Sequence, residues 1–228
     1  MKRIAISQSN YIPWKGYFDL INMVDEFVIY DDAQYTSRDW RNRNKIKTPN
    51  GSKWLTIPVN IKGNYHKKIN EIKINDKDWA INHWKQLKHN YSKARYFKKY
   101  EAIFEDLYLN CDEKYLSKIN YKFISAINNI LGIKTKLRFS NEFQLINGQT
   151  DRLLSICKQI NAKTYFTGPT ARAYFDENLA KKNDIKVIWI NYNGYKKYEQ
   201  LHPPFDHKVT ILDLIFNADP IKFMKSFK

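Results

Sequence analysis

The stretch RIAISQSNYIPWKGYFDLINMVDEFVIYDD, residues 3–32, constrains this chain more than any other. Residues 3–8 are a short apolar run suited to a buried strand, and FVIY at 27–30 is a second run of β-branched and aromatic residues. Between them, Phe18, Ile21, Met23 and Val24 fall roughly on one helical face. Two strands around a short helix make a βαβ unit, which requires a parallel sheet with a right-handed crossover. Ligands on such sheets sit beyond the carboxyl ends of the strands. Those ends are the loop at 8–14 and the segment after Tyr30, and both are polar.

The same alternation continues along the chain. KWLTIPVNI (53–61), HKKINEIKI (66–74), KTKLRF (134–139), TYFTG (164–168) and IKVIWINY (185–192) read as strands. Residues 76–131 read as helices, with Trp79, Trp84, Leu87 and Tyr91 at helical spacing and Gly132 in the stop position. TDRLLSICKQINA (150–162), ARAYFDENLAKKND (171–184) and VTILDLIFNA (209–218) read as further helices. The expected fold is α/β, a parallel-sheet, Rossmann-like core with a mostly helical middle segment. It forms one domain over 1–228, with 76–131 as a helical subregion.

Composition removes several classes. Hydrophobic residues make up 43% and aromatics 15%, too many for global disorder. No 18-residue apolar run is present, so no membrane span is expected, and the N-terminus reads as a strand instead of a signal peptide. The two cysteines, Cys111 and Cys157, lie far apart without metal-ligand spacing; reduced structural thiols in a cytoplasmic protein are the expectation. No metal site is expected. The formal net charge of +16 raises nucleic acid as a partner, but the lysines are spread along the whole chain. An anionic small substrate is therefore favoured, with nucleic acid not expected.

Candidate site residues cluster at the strand ends. On the first loop, Gln8, Asn10 and Lys15 are polar, Gly16 permits close approach, and Tyr11 and Trp14 either stack on a ligand or anchor the helix. Asp31 and Asp32 end the second strand, where they could accept sugar hydroxyls, hold a divalent cation or simply shape a turn. Arg38, Arg41 and Arg43 belong to the densest basic cluster, RDWRNRNK. If that segment is extended, Arg41, Arg43 and Lys45 share a face. They read as a diphosphate or carboxylate clamp, or as a solvated loop. At the later strand-to-helix junction, Thr167, Gly168, Thr170 and Arg172 offer hydroxyls, an amide and a cation to an anion. His202, in LHPPFDH, is a candidate general base.

The blocks QSNYIPWKGYFDLI, DEFVIYDDAQYTSRDWRNRNKIK, WLTIPV, TYFTGPTARAYFDENL, IKVIWINY and QLHPPFDHKVTILDLIFN together resemble the WbqC-like protein family. The resemblance spans nearly the whole chain and is weaker over about 65–160. Where a Ser-Gly-Pro element is expected, this chain has Thr167-Gly168-Pro169 and keeps the hydroxyl. The resemblance implies a place among O-antigen and other surface-polysaccharide loci. It supplies no reaction by itself. A looser, fold-level similarity links the strand, the P-W-K-G-Y loop and the helix to the HIGH-type nucleotidyltransferases and pantothenate synthetase, although the two histidines of that motif are absent.

These readings combine into an expected enzyme that modifies a nucleotide-linked amino sugar by acyl or aminoacyl transfer to its amine. The implied partners are the nucleotide-sugar and a small acyl or amino-acid donor, activated with ATP and Mg²⁺ in one version. Lys15, His202 and Asp32 are the expected catalytic groups. The alternatives are a protein that uses tRNA or other nucleic acid, motivated by the charge and the 16 tyrosines, and a non-catalytic partner in polysaccharide assembly.

Overall fold

Strand β1 (Arg3–Ser7) is the hub of the molecule in the computed structural model, which describes residues 1–61 and 66–227. It pairs in parallel with β2 (Glu26–Ile29) on one side and β6 (Thr164–Thr167) on the other. Outside these lie β5 (Lys136–Phe139), parallel to β2, and β7 (Lys186–Trp189), parallel to β6. The five-stranded order is β5-β2-β1-β6-β7. The chain winds outward from β1 in one direction and then, starting with β6, in the other. This arrangement confirms the parallel, Rossmann-like α/β core. The reversal between β1 and β6 is the topological switch point, where loops diverge and leave a crevice.

Alternation along the strands divides two cores. Ala5, Phe27 and Ile29 face one apolar cluster, and Ile4, Ile6 and Val28 face the other. The first cluster takes in α1 (Lys15–Asn22), the three middle helices α2 (Trp79–Tyr91), α3 (Phe97–Leu109) and α4 (Leu116–Leu131), and α7 (Ile211–Asn217). The second takes in α5 (Gln149–Gln159) and α6 (Glu177–Lys182). A strand interior such as FVI of β2 is buried on both faces, so its residues are apolar throughout. Helix α4 stops where expected: Gly132 adopts φ +71°, which costs a residue with a Cβ but not glycine.

Three expectations change. HKKINEIKI is not a strand. Ile69–Glu71 forms a short 3₁₀ turn, and only isolated bridges at Lys68, Lys73 and Ile74 remain of the alternation. Residues 171–184 are not one helix; a 3₁₀ turn, Pro169–Ala173, precedes α6, because Asp176 caps a fresh start by accepting from the Leu179 amide. The basic segment after Arg41 is a strand, β3 (Arg43–Thr48), paired antiparallel with β4 (Gly51–Thr56) around the Pro49-Asn50-Gly51 turn. Asn44 and Ile46 point inward, and Arg43 and Lys45 lie on the other face, as alternation requires. Among the described residues, no helix is long and apolar enough to cross a membrane.

Candidate functional site

A cleft of about 870 Å³ opens at the β1/β6 switch point. Its floor comes from the strand ends, Ile6, Ser7 and Thr167. Its walls come from the first loop (Gln8, Asn10, Trp14), the segment Asp39–Arg41, Arg152 of α5, and Gly168 to Thr170. Tyr30, Tyr174 and Tyr192 add aromatic surface.

The glycine-poor first loop is held by the rest of the fold instead of by its own turns. The Ser9 amide donates to Asp31 Oδ1 (2.8 Å), and the Tyr11 amide donates to the Trp40 carbonyl (3.0 Å). Ile12 sits at φ +35°, a strained position for a β-branched residue. Its carbonyl accepts from Asn44 Nδ2 (2.9 Å) and Thr210 Oγ1 (2.7 Å), contacts from two distant elements that hold the bend in place. Gly16 has a steric role. A Cβ there would lie 2.4 Å from the Trp14 ring, so glycine lets Trp14 fold back over the start of α1. Trp14 then packs edge-on against Tyr192 (5.1 Å between centroids) at the cleft wall.

Two cations line the cleft. Arg41 Nη1 donates to the Ser9 carbonyl (3.3 Å) and to Asn10 Oδ1, and its Nη2 lies 3.5 Å from Asp39 Oδ2. Its Nε is buried and finds no partner among the described residues. Arg152 Nη1 donates to the Tyr30 hydroxyl (2.9 Å), and its Nε donates to the Ile146 carbonyl (2.6 Å). Burial pushes the Tyr192 hydroxyl up to about 12, with Asp19 adding to the rise. Burial also raises Tyr174, helped by Tyr30. Both stay protonated near neutrality and can donate hydrogen bonds. Asp39 is the one carboxylate among the lining residues.

The structure thus gathers Gln8, Asn10, Trp14, Arg41, Thr167, Gly168 and Thr170 around one cavity. The other sequence candidates lie elsewhere. Tyr11 is fully buried, its hydroxyl bonded to His83 Nδ1 (2.9 Å) and the Tyr108 hydroxyl (2.7 Å). Asp31 is also buried, bonded to the Ser9 amide and Ser117 Oγ. Burial raises its pKa against those bonds. Asp32 accepts from Lys68 Nζ (2.9 Å) and Ser140 Oγ (2.7 Å). Burial opposes its ionisation, but those bonds prevail and lower its pKa.

Lys15 turns away from the cleft into the C-terminal segment, where Nζ lies over the rings of Tyr195 (4.8 Å) and Tyr198 (5.2 Å). Burial lowers it to about 8, against the pull of Asp19 and Asp213. His202 Nε2 lies 2.8 Å from the Asn90 carbonyl, also outside the cleft. Arg38 is exposed, Arg43 packs over Trp54 (4.2 Å), and Arg172 packs over Trp189 (4.6 Å). Sequence reasoning missed Arg152, Tyr30, Tyr174, Tyr192 and Asp39. Only Tyr30, at the end of a strand, carried a usable signal; Arg152 looks like any helix-surface arginine until α5 packs on the sheet.

A family model described as the WbqC-like protein family matches residues 8–223. A Mycobacterium tuberculosis protein described as "Uncharacterized protein Rv1507c" is 49% identical over 218 residues, which cover 96% of this chain and 94% of that one. No solved structure matches significantly.

Proposed function

Since this chain belongs to the WbqC-like protein family, we propose that it is an enzyme of surface-polysaccharide (O-antigen) biosynthesis that acylates or aminoacylates a nucleotide-linked amino sugar in the β1/β6 cleft. The observation that carries the reading is the pairing of Arg41 and Arg152 with four aromatic walls at a topological switch point. Guanidinium groups match the oxygens of a diphosphate. Trp14, Tyr30, Tyr174 and Tyr192 offer faces for a base or a sugar ring, and Gln8, Asn10, Thr167 and Thr170 offer hydrogen bonds to hydroxyls.

In the transfer, the sugar nitrogen forms a bond to the acyl carbon, the bond to the leaving group breaks, and the nitrogen gives up a proton. Asp39 is the carboxylate on the lining that can accept it. Lys15, His202 and Asp32 have no part in this version, because none of them lines the cleft. ATP with Mg²⁺ is compatible with the two arginines, which suit phosphates. Among the described residues no group of three or more His, Cys, Asp or Glu is placed to hold a metal ion, so a Mg²⁺ ion there would arrive on the phosphates and take Asp39 at most.

Titration calorimetry with a UDP-linked amino sugar tests the reading. Arg152→Ala should weaken binding by about 10- to 100-fold, the range for losing a charge-assisted hydrogen bond, with the melting temperature nearly unchanged. Equal affinity of the variant and the parent removes the cleft from the mechanism. Adding ATP, Mg²⁺ and an amino acid, and weighing the sugar product by mass spectrometry, decides whether the donor is activated here or arrives preactivated.

A further inference from the structure

The basic cluster Arg38–Lys45 is the strongest motif that the cleft does not absorb. Of its cations, only Arg41 enters the cleft. Arg38 is exposed on the turn before β3, and Arg43 and Lys45 go to the outer face of the β3–β4 hairpin. There Trp54 stands directly opposite Lys45 in the strand register, with Lys45 Nζ 5.1 Å and the Arg43 guanidinium 4.2 Å from its ring centroid.

Trp40, which lines the cleft, lies 5.2 Å from Trp54 between ring centroids. Both tryptophans are exposed, at 41% and 37%. Trp54 in turn lines a second groove of about 940 Å³ between the hairpin turn and α2, whose cationic lining is Lys53 and Lys85. Among the described residues no carboxylate lines that groove; Asp206 accepts from Ser52 Oγ (3.2 Å) from outside the lining. Lys53 Nζ is held by the neutral Gln86 Oε1 (2.9 Å), so its charge is not cancelled. Two cavities are thereby joined through a pair of exposed indoles flanked by cations.

We infer that this strip, from the cleft mouth across Trp40 and Trp54 to the groove at Lys53 and Lys85, binds single-stranded RNA. The occupant follows from complementarity. A single strand offers a phosphate charge and a stackable base at every residue, and the strip offers cations grouped beside two exposed indoles. A nucleotide-sugar fills one cavity; a strand is needed to span both. The net charge of +16 supports long-range attraction of such a polyanion. The inference stands apart from the acyl-transfer reading, because it requires no sugar and no reaction.

Fluorescence anisotropy with a labelled 12-nucleotide single-stranded RNA, titrated with the full-length protein from 50 to 300 mM KCl, is the test. Trp54→Ala should weaken binding about 10-fold or more at every salt concentration, since stacking supplies an amount of that order per base. Lys53→Ala/Lys85→Ala should flatten the salt dependence by about 1.4 in log–log slope, the value for two phosphate contacts on a single strand. Lys181→Ala/Lys182→Ala, on α6 and in the lining of neither cavity, should bind like the parent. Circular dichroism confirms that each variant is folded, and Trp54→Phe, which keeps an aromatic face, should restore most of the affinity. The inference is overturned if all lysine pairs weaken binding equally, if Trp54→Ala is neutral, or if duplex RNA binds as tightly as the single strand.

Discussion

The cleft at β1/β6 and the buried knot around Asp213 are both rich in polar side chains, yet they are built in opposite ways. In the knot, Asp213 accepts from the Tyr91 hydroxyl (2.8 Å), the Tyr198 hydroxyl (2.7 Å) and Gln200 Nε2 (2.8 Å). Each of these groups finds its partner within the protein. In the cleft, Gln8, Thr170 and the faces of Trp14 and Tyr192 line open space, and Arg41 Nε has no partner among the described residues. Polarity therefore does not mark a binding site; polarity left over after the fold has satisfied its own groups does.

The sharpest way to break this contrast is to remove the hub of the knot. Asp213→Ala strands three buried donors, and losses of this kind run to about 3–5 kcal/mol. For a chain of this length that lowers the melting temperature by roughly 10 °C. Scanning calorimetry showing less than about 3 °C would mean that the knot is wetter than its geometry implies.

Asp31 joins the two kinds of region, being buried like the knot while fixing the cleft loop through the Ser9 amide. Asp31→Ala should cost about 2–3 kcal/mol of stability and also weaken cleft ligands. Arg152→Ala should affect the ligand alone. If urea melts and ligand titrations show the same pattern for both variants, the division between scaffold and site fails.

The smallest effect concerns Lys15. Its pKa is lowered to about 8 in the folded chain, below the ordinary lysine value, so the unfolded state holds the proton more tightly. The charge therefore destabilises the fold fully below pH 8, and the penalty fades as pH rises toward the ordinary lysine pKa of about 10.4. Lys15→Met should raise the melting temperature at pH 7, and the advantage should shrink by pH 10. A constant or growing difference across that range would show that Lys15 keeps a partner, which would place it nearer to a working site than to the scaffold.

Some of this was legible in the residues. The runs IAI and FVI announced parallel strands because a strand buried on both faces must be apolar throughout. Gln8, Asn10, Thr167 and Thr170 were found because they lie at or just past the carboxyl ends of strands. Tyr11 and Lys15 were misplaced for a physical reason. The loop at 8–14 and the first turn of α1 point their side chains in several directions, and only the positions of α2, α3 and the C-terminal segment show which of them point inward. Asp32 at its strand end and His202 in its proline-rich loop read as reactive groups until their partners, Lys68 with Ser140 and the Asn90 carbonyl, came into view.

By itself, then, the sequence determined the class of layers: an α/β chain whose first βαβ unit builds a parallel sheet and whose β1 leads into a polar loop. It did not separate the main-sheet strands from KWLTIPVNI, which pairs in a hairpin, or from HKKINEIKI, which is no strand. Periodicity and strand-end chemistry are local properties, and local properties survive in one dimension. Only the tertiary structure decided which polar groups remain free. That depends on partners tens to nearly two hundred residues away, such as Arg152 on Tyr30 and Thr210 on Ile12. It also decided where the charge goes. Lysines that are scattered along the chain are brought beside two tryptophans by a hairpin and one helix face, and no composition could have shown that.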